Sequence, residues 1–99
     1  MTGETRFEWD LRKAEANKRK HGVSFDLAKQ VFCDPLMKLE LEGSDHGEER
    51  WRTIGQVGRT VLIVSHTIRE DENEEIVRII SARVAQPQER RRYEANSQA

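Results

Sequence analysis

Cysteine is nearly absent from this chain of 99 residues. The single Cys33 excludes an internal disulfide and any cysteine-cluster zinc site, and its setting reads as a small packing residue in a reducing compartment. No apolar run approaches the roughly 20 residues of a membrane-spanning helix, and the N-terminal residues lack a signal-peptide core. The expected location is therefore cytoplasmic. Histidine is also scarce. His21, His46 and His66 lie far apart and none belongs to an HExxH pattern. Asp45-His46 beside Glu48-Glu49 reads as an acidic exposed turn rather than a metal site, so no metal and no cofactor is expected. There is no glycine-rich phosphate loop, since Gly55-x-x-Gly58 is better explained by a hairpin. No Ser or Cys sits in a nucleophile motif. The formal net charge is only −1, so overall charge does not predict nucleic-acid binding.

The distribution of charge is more informative. Charged residues make up 35% of the chain and hydrophobic residues another 35%, which suits one domain over residues 1–99 with a modest core. From Arg12 to Lys20 the cations Arg12, Lys13, Lys18, Arg19 and Lys20 face the lone carboxylate Glu15. A second basic stretch runs from Arg83 through Arg90, Arg91 and Arg92, while Glu40–Glu49 and Glu70–Glu75 are acidic. Basic ends around an acidic middle allow a local cationic surface on a near-neutral molecule.

The stretch WDLRKAEANKRKHGVSFDLAKQVFCDP predicts two helices joined at a hinge. Asp10 is placed to cap the first, which runs to about Lys20, and Lys18, Arg19 and Lys20 suit the negative end of its dipole. Gly22 supplies the left-handed residue that ends it. Ser24 caps the second, in which Phe25, Ala28 and Phe32 recur at helical spacing until Asp34-Pro35 stops it. Ahead of them, Arg6-Phe7-Glu8-Trp9 alternates like a short strand. Leu36–Glu42 alternates with period two, so Met37, Leu39 and Leu41 are expected to face in and Lys38, Glu40 and Glu42 to face water. Glu49–Val57, Thr60–Thr67 and Glu75–Val84 follow as strands. The middle one, with Val61-Leu62-Ile63-Val64, is apolar on both faces and so central. Pro87 opens a final helix at its first position. The expected class is α+β: two N-terminal helices, a four-stranded antiparallel sheet and a C-terminal helix, with the helices on one side of the sheet.

Arginine inside strands stands out. Arg50 and Arg52 share one face, whereas Arg78 and Arg83, an odd number of residues apart, are expected on opposite faces. Each could make ordinary exposed or ion-paired contacts. As a set, beside a Lys/His hinge and a basic helix bearing Tyr93, they point to phosphate. RNA cleavage without metal needs a base for the 2′-hydroxyl, cations for the phosphorane and an acid for the leaving oxygen. His21, His66 and Glu49 are candidates for proton transfer, and Tyr93 for positioning or protonation. His66, ending a strand, is placed to project over the sheet rim. Trp9 and Trp51 read as core.

The segments FEWD, KRKHGVSFDLAKQVFCDP, HGEERWRTIG and VRIISARVAQPQERRRYE, in that order, closely resemble the BrnT family of bacterial type II toxins over about residues 7–94. The resemblance implies a RelE-like fold and a small ribonuclease that arrests translation. It also implies neutralisation by a BrnA-type, DNA-binding antitoxin, with a 2:2 complex that binds promoter DNA. The family's motif falls on Lys20-His21-Gly22, Glu49-Arg50, Arg78, Arg83 and Glu89–Tyr93. The expected catalytic set is therefore His21, Glu49, Arg50, Arg78, Arg83 and Tyr93, with Lys18, Lys20, His66, Arg90 and Arg91 holding RNA. The competing reading is a non-catalytic nucleic-acid- or antitoxin-binding module acting as co-repressor.

Overall fold

The structure is a computed structural model that describes residues 3–45 and 47–97. His46, read above as part of an acidic turn, lies outside the described residues. The elements run β1 (Glu4–Glu8), α1 (Leu11–His21), α2 (Phe25–Ala28), a 3-10 turn (Lys29–Cys33), β2 (Lys38–Asp45), β3 (Glu48–Val57), β4 (Thr60–Asp71), β5 (Glu74–Val84) and α3 (Pro87–Ser97). One sheet takes all five strands in the order β1-β5-β4-β3-β2. β2 to β5 form an antiparallel meander, and β1 adds to β5 in parallel, with Phe7 opposite Val77. The sheet is thus five-stranded and mixed, not four-stranded and antiparallel. The short alternating segment at Phe7 pairs with β5 at one edge, and the helices that follow carry the chain to β2 at the other edge. No helix among the described residues is long and apolar enough to cross a membrane.

The capping signals act as the residue types dictate. Asp10 Oδ1 accepts from the backbone N–H groups of Arg12 and Lys13, at 2.8 and 3.1 Å. Gly22 ends α1 at φ 74°, a left-handed conformation that costs glycine nothing. Ser24 Oγ accepts from Leu27 N–H at 3.0 Å. The second helix is shorter than its periodicity implies. After one turn it tightens into 3-10 geometry, which seats Val31 against β3 where Gly55 leaves room. A Cβ on residue 55 would meet Val31 Cβ at 2.9 Å and its carbonyl oxygen at 3.0 Å.

The helices divide between the two faces of the sheet, which corrects the expectation of a single helical side. On the back face Leu62, Val64, Val77, Ile79 and Ala82 pack under Val23, Phe25, Ala28 and Val31. On the front face Ile54, Val61 and Ile63 pack under Tyr93 of α3. β4 is apolar on both sides because both sides are covered. β2 is the exception. Met37, Leu39 and Leu41, expected to face in, are 40, 45 and 55% exposed. The back-face core ends at β3, so alternation along β2 has nothing to pack against.

Asn17 holds α1 in place. Its buried amide donates to Val23 O and Ala82 O, at 3.0 and 2.9 Å, and accepts from Ala82 N–H at 3.1 Å. β1 stops opposite Arg78, so this side chain satisfies β5's backbone beyond the last strand pair. Asn17→Ala leaves buried backbone groups at Ala82 unpaired. A loss of about 2–4 kcal/mol is expected, seen as a melting temperature lower by about 10–20 °C. An unchanged melting curve would show that α1 is held by its apolar contacts alone.

Candidate functional site

Register decides where the arginines point. In β3, Arg52 lies opposite Ser65, whose neighbours along β4, Ile63 and Thr67, share its face. Arg52 and, two residues earlier, Arg50 are therefore on the front. In β5, Arg83 lies opposite Ile63 and Arg78 opposite Thr67, so these two are also on the front. Their odd spacing implied opposite faces. The correction comes from a bulge: His66 pairs with Ile79 and Ser65 with Ser81, leaving Ile80 without a partner and flipping the parity of the strand. Arg50, Arg52, Arg78 and Arg83 thus converge on one surface, floored by Ser65, Thr67 and Ser81.

Carboxylates organise that surface. Arg83 makes a two-pronged ion pair with Glu89, Nη1–Oε1 2.8 Å and Nη2–Oε2 2.9 Å. Glu89 Oε1 also accepts from Gln86 N–H at 2.7 Å, closing the first turn of α3 behind Pro87. The Arg83 guanidinium, aided by that N–H, holds the Glu89 carboxyl down at about 2. At the other end, Glu8 accepts from Arg69 at 3.0 Å and Arg78 at 3.1 Å, and Arg69 first, then Arg78, keeps its pKa below the ordinary value. Glu40 bonds Arg52 at 3.1 Å and Arg92 at 3.5 Å. Glu42, carried at a bulge in β2, reaches over the front to Ser65 Oγ at 3.3 Å.

Tyr93 is buried and donates its hydroxyl to Asp34, which also accepts from the N–H groups of Gln56 and Leu36, at 2.8 and 2.9 Å. Burial, reinforced by Asp34, pushes the Tyr93 pKa up to about 12. Asp34 stays below the usual carboxylate range because its three donors outweigh the effect of burial. This node ties α3 to the start of β2. A cleft of about 20 Å³ remains between α3 and the sheet, lined by Arg52, Ile54, Glu89, Arg92 and Tyr93 among others. It has room for about one water.

The structure gathers only part of the expected set. Arg50, Arg78, Arg83 and Tyr93 share the front, and Arg90 sits on α3 with its Nε 3.0 Å from Glu94. Arg91, also on α3, is exposed. Glu49 shares the back-facing parity of Trp51 and Thr53, so its side chain starts away from Arg50. Lys18, Lys20 and His21 are exposed on the last turn of α1, in the back layer. His66 is fully buried on the back face, stacked edge-on against Phe32, its Nε2 2.7 Å from Thr53 Oγ1. Its Nδ1 lies 3.4 Å from the Thr67 carbonyl, which can only accept, so the tautomer with the proton on Nδ1 satisfies both contacts, Nε2 then accepting from threonine. Burial lowers its pKa. Glu8, Glu40, Glu42, Arg69 and Asp34 were not read as site residues. For Arg69 and Glu42 the signal was front-facing parity, but Asp34 carried no sequence signal beyond stopping a helix. Among the described residues no group of three His, Cys, Asp or Glu side chains is placed to hold a metal ion.

The front face is thus paved with arginine and rimmed by carboxylates. A family model described as the ribonuclease toxin, BrnT, of type II toxin–antitoxin systems matches residues 9–89. The chain belongs to the BrnT family. No curated protein matched it in a sequence comparison. Membership makes it a ribonuclease toxin with RNA as target and an antitoxin as partner. The BrnT match spans α1, α2 and strands β2 to β5, leaves out β1 and most of α3, and ends at Glu89, the residue that fixes Arg83.

The Arg83–Glu89 pair has a pH signature. Glu89 is more acidic folded than unfolded, so its stabilisation is complete above about pH 4.5 and is lost as pH falls toward 2. Glu89→Gln should be less stable than the natural chain by on the order of 1–2 kcal/mol at pH 7, the gap closing near pH 2. Urea melts at a series of pH values measure it. A gap that stays constant with pH would remove the ion pair as its source.

Proposed function

We propose that the front face binds RNA and cleaves it without metal, the 2′-hydroxyl attacking the adjacent phosphate to leave a cyclic phosphate, and that this cleavage arrests translation. The observation that supports it is the β5 bulge, which gives Arg78 and Arg83 the same face as Arg50 and Arg52. Arg50 and Arg78 neutralise the phosphorane. Arg83, bound through two prongs to Glu89, positions α3 and lends charge to the phosphate beside it. Glu42 takes the proton-accepting role expected of Glu49, because it reaches the front and Glu49 starts from the back. Tyr93, its hydroxyl committed to Asp34, positions α3 rather than donating a proton, so the departing 5′-oxygen takes its proton from solvent water. Arg90 and Arg91 on α3 hold flanking phosphates. Lys18, Lys20 and His21, at the far end of α1, are reserved for a longer RNA or for the partner. His66 stays within the core. A BrnA-type DNA-binding antitoxin would mask this front face and join the chain in a 2:2 complex at promoter DNA.

The ion pairs on Arg78 and Arg83 favour a second reading, a non-catalytic module that binds nucleic acid or antitoxin and acts as co-repressor. The two part under substitution. Arg78→Ala and Glu42→Gln should each lower cleavage of RNA by about 100-fold or more, with the circular dichroism unchanged. Glu49→Gln should change it less than about threefold on the same grounds of placement. Equal loss for Glu49→Gln and Glu42→Gln would return the base to the back of β3. Full activity in Arg78→Ala would remove the front face from the reaction.

A further inference from the structure

We propose that β2 pairs antiparallel with β2 of a second copy of this chain, about a two-fold axis through Leu39 that joins two sheets into one. The proposal is independent of the ribonuclease reading.

The two edges of the sheet are treated differently. β1 is five residues long, and Asn17 satisfies β5's backbone where β1 stops. β2 is eight residues long and forms the other edge, with β3 on its inner side. A long edge strand with exposed apolar side chains is a template for another strand. Leu36 and Met37, just ahead of β2, and Leu39 and Leu41 within it are 54, 40, 45 and 55% exposed.

The occupant follows from the order of the residues. Directly opposed residues in an antiparallel pair share a face, which restricts the registers available. Centred on Leu39, the pairing sets Leu39 against Leu39 and Met37 against Leu41 on the back. On the front it sets Lys38 against Glu40 twice. The next allowed register, centred on Glu40, would oppose two like charges. The segment Met37-Lys38-Leu39-Glu40-Leu41 is therefore complementary to itself in charge and in apolar pattern. The bulge between Leu41 and Gly43 ends the regular stretch and confines the pairing to it. The exposed part of these side chains is on the order of 300–400 Å² per copy, below the half-share of a standard stable interface, so the dimer should be weak and concentration-dependent. Such an axis stands perpendicular to the sheet and sets both arginine faces on the same side.

Sedimentation velocity on the full chain, freed of partner protein, tests the association from about 1 μM to about 1 mM. The expected mass rises with concentration from 11.6 kDa toward twice that value. Leu39→Glu, exposed and at an edge, should stay monomeric with an unchanged circular dichroism spectrum. Register is tested by oxidation in a Cys33→Ser background. Leu39→Cys should form a disulfide dimer at least about tenfold faster than Lys38→Cys, since only residue 39 meets itself across the axis. A natural chain that stays monomeric throughout, a Leu39→Glu chain that associates as well as the natural one, or equal oxidation at 38 and 39 would each overturn the proposal. Loss of antitoxin capture in Leu39→Glu, beside a monomeric natural chain, would overturn it in favour of the antitoxin as occupant.

Discussion

Ile80 has no partner across the β4–β5 ladder, and from that residue onward β5 presents its side chains with reversed parity. Without the extra residue, Arg78 and Arg83 would sit on opposite faces, and one of them would be driven into the apolar layer beneath α1 and α2. That layer has no carboxylate to receive it among its core residues. With it, Val77 and Ile79 fill the back-face core while both arginines turn to the front. A single inserted residue lets one strand satisfy an apolar helical layer and a cationic surface at once.

The front face is held by polar ties more than by apolar area. α3 brings Tyr93 to a small cluster with Ile54, Val61 and Ile63, and is otherwise positioned by Glu89 on Arg83, Arg92 on Glu40 and Tyr93 on Asp34. These ties use the same groups that give the face its charge. A polyanion or a partner that engages Arg83 or Arg92 competes with the contacts that seat the helix. Binding at this face is therefore coupled to the placement of α3 through shared side chains.

Local signals were legible where one residue acts on its own turn. Asp10, Gly22 and Ser24 are found at the helix caps expected of them, and Pro87 opens α3. The strands were legible too, although β4 runs on past Thr67 to Asp71 and β5 begins one residue early, at Glu74. Facing was harder. Leu39 and Leu41 alternate as a buried strand does, but pattern records which residues match, not whether a layer arrives to cover them. The parity of Arg78 and Arg83 was unreadable because a bulge leaves no mark in composition. His66 looked like a rim residue until Phe32 and Thr53, distant in sequence, closed over it. Arg50, Arg78 and Arg83 were recognised by type, and only the register could say that they meet.

The most direct test of the central claim is incubation of the purified chain, free of partner protein, with total RNA in EDTA, followed by the same reaction with ribosomes. Cleavage of free RNA in EDTA, with cyclic phosphate ends, is the predicted result. It would establish that the arginine face works without a metal ion. RNA left intact in EDTA but cut when magnesium is restored would contradict the account, because the phosphorane charge would then be carried by the ion rather than by Arg50 and Arg78.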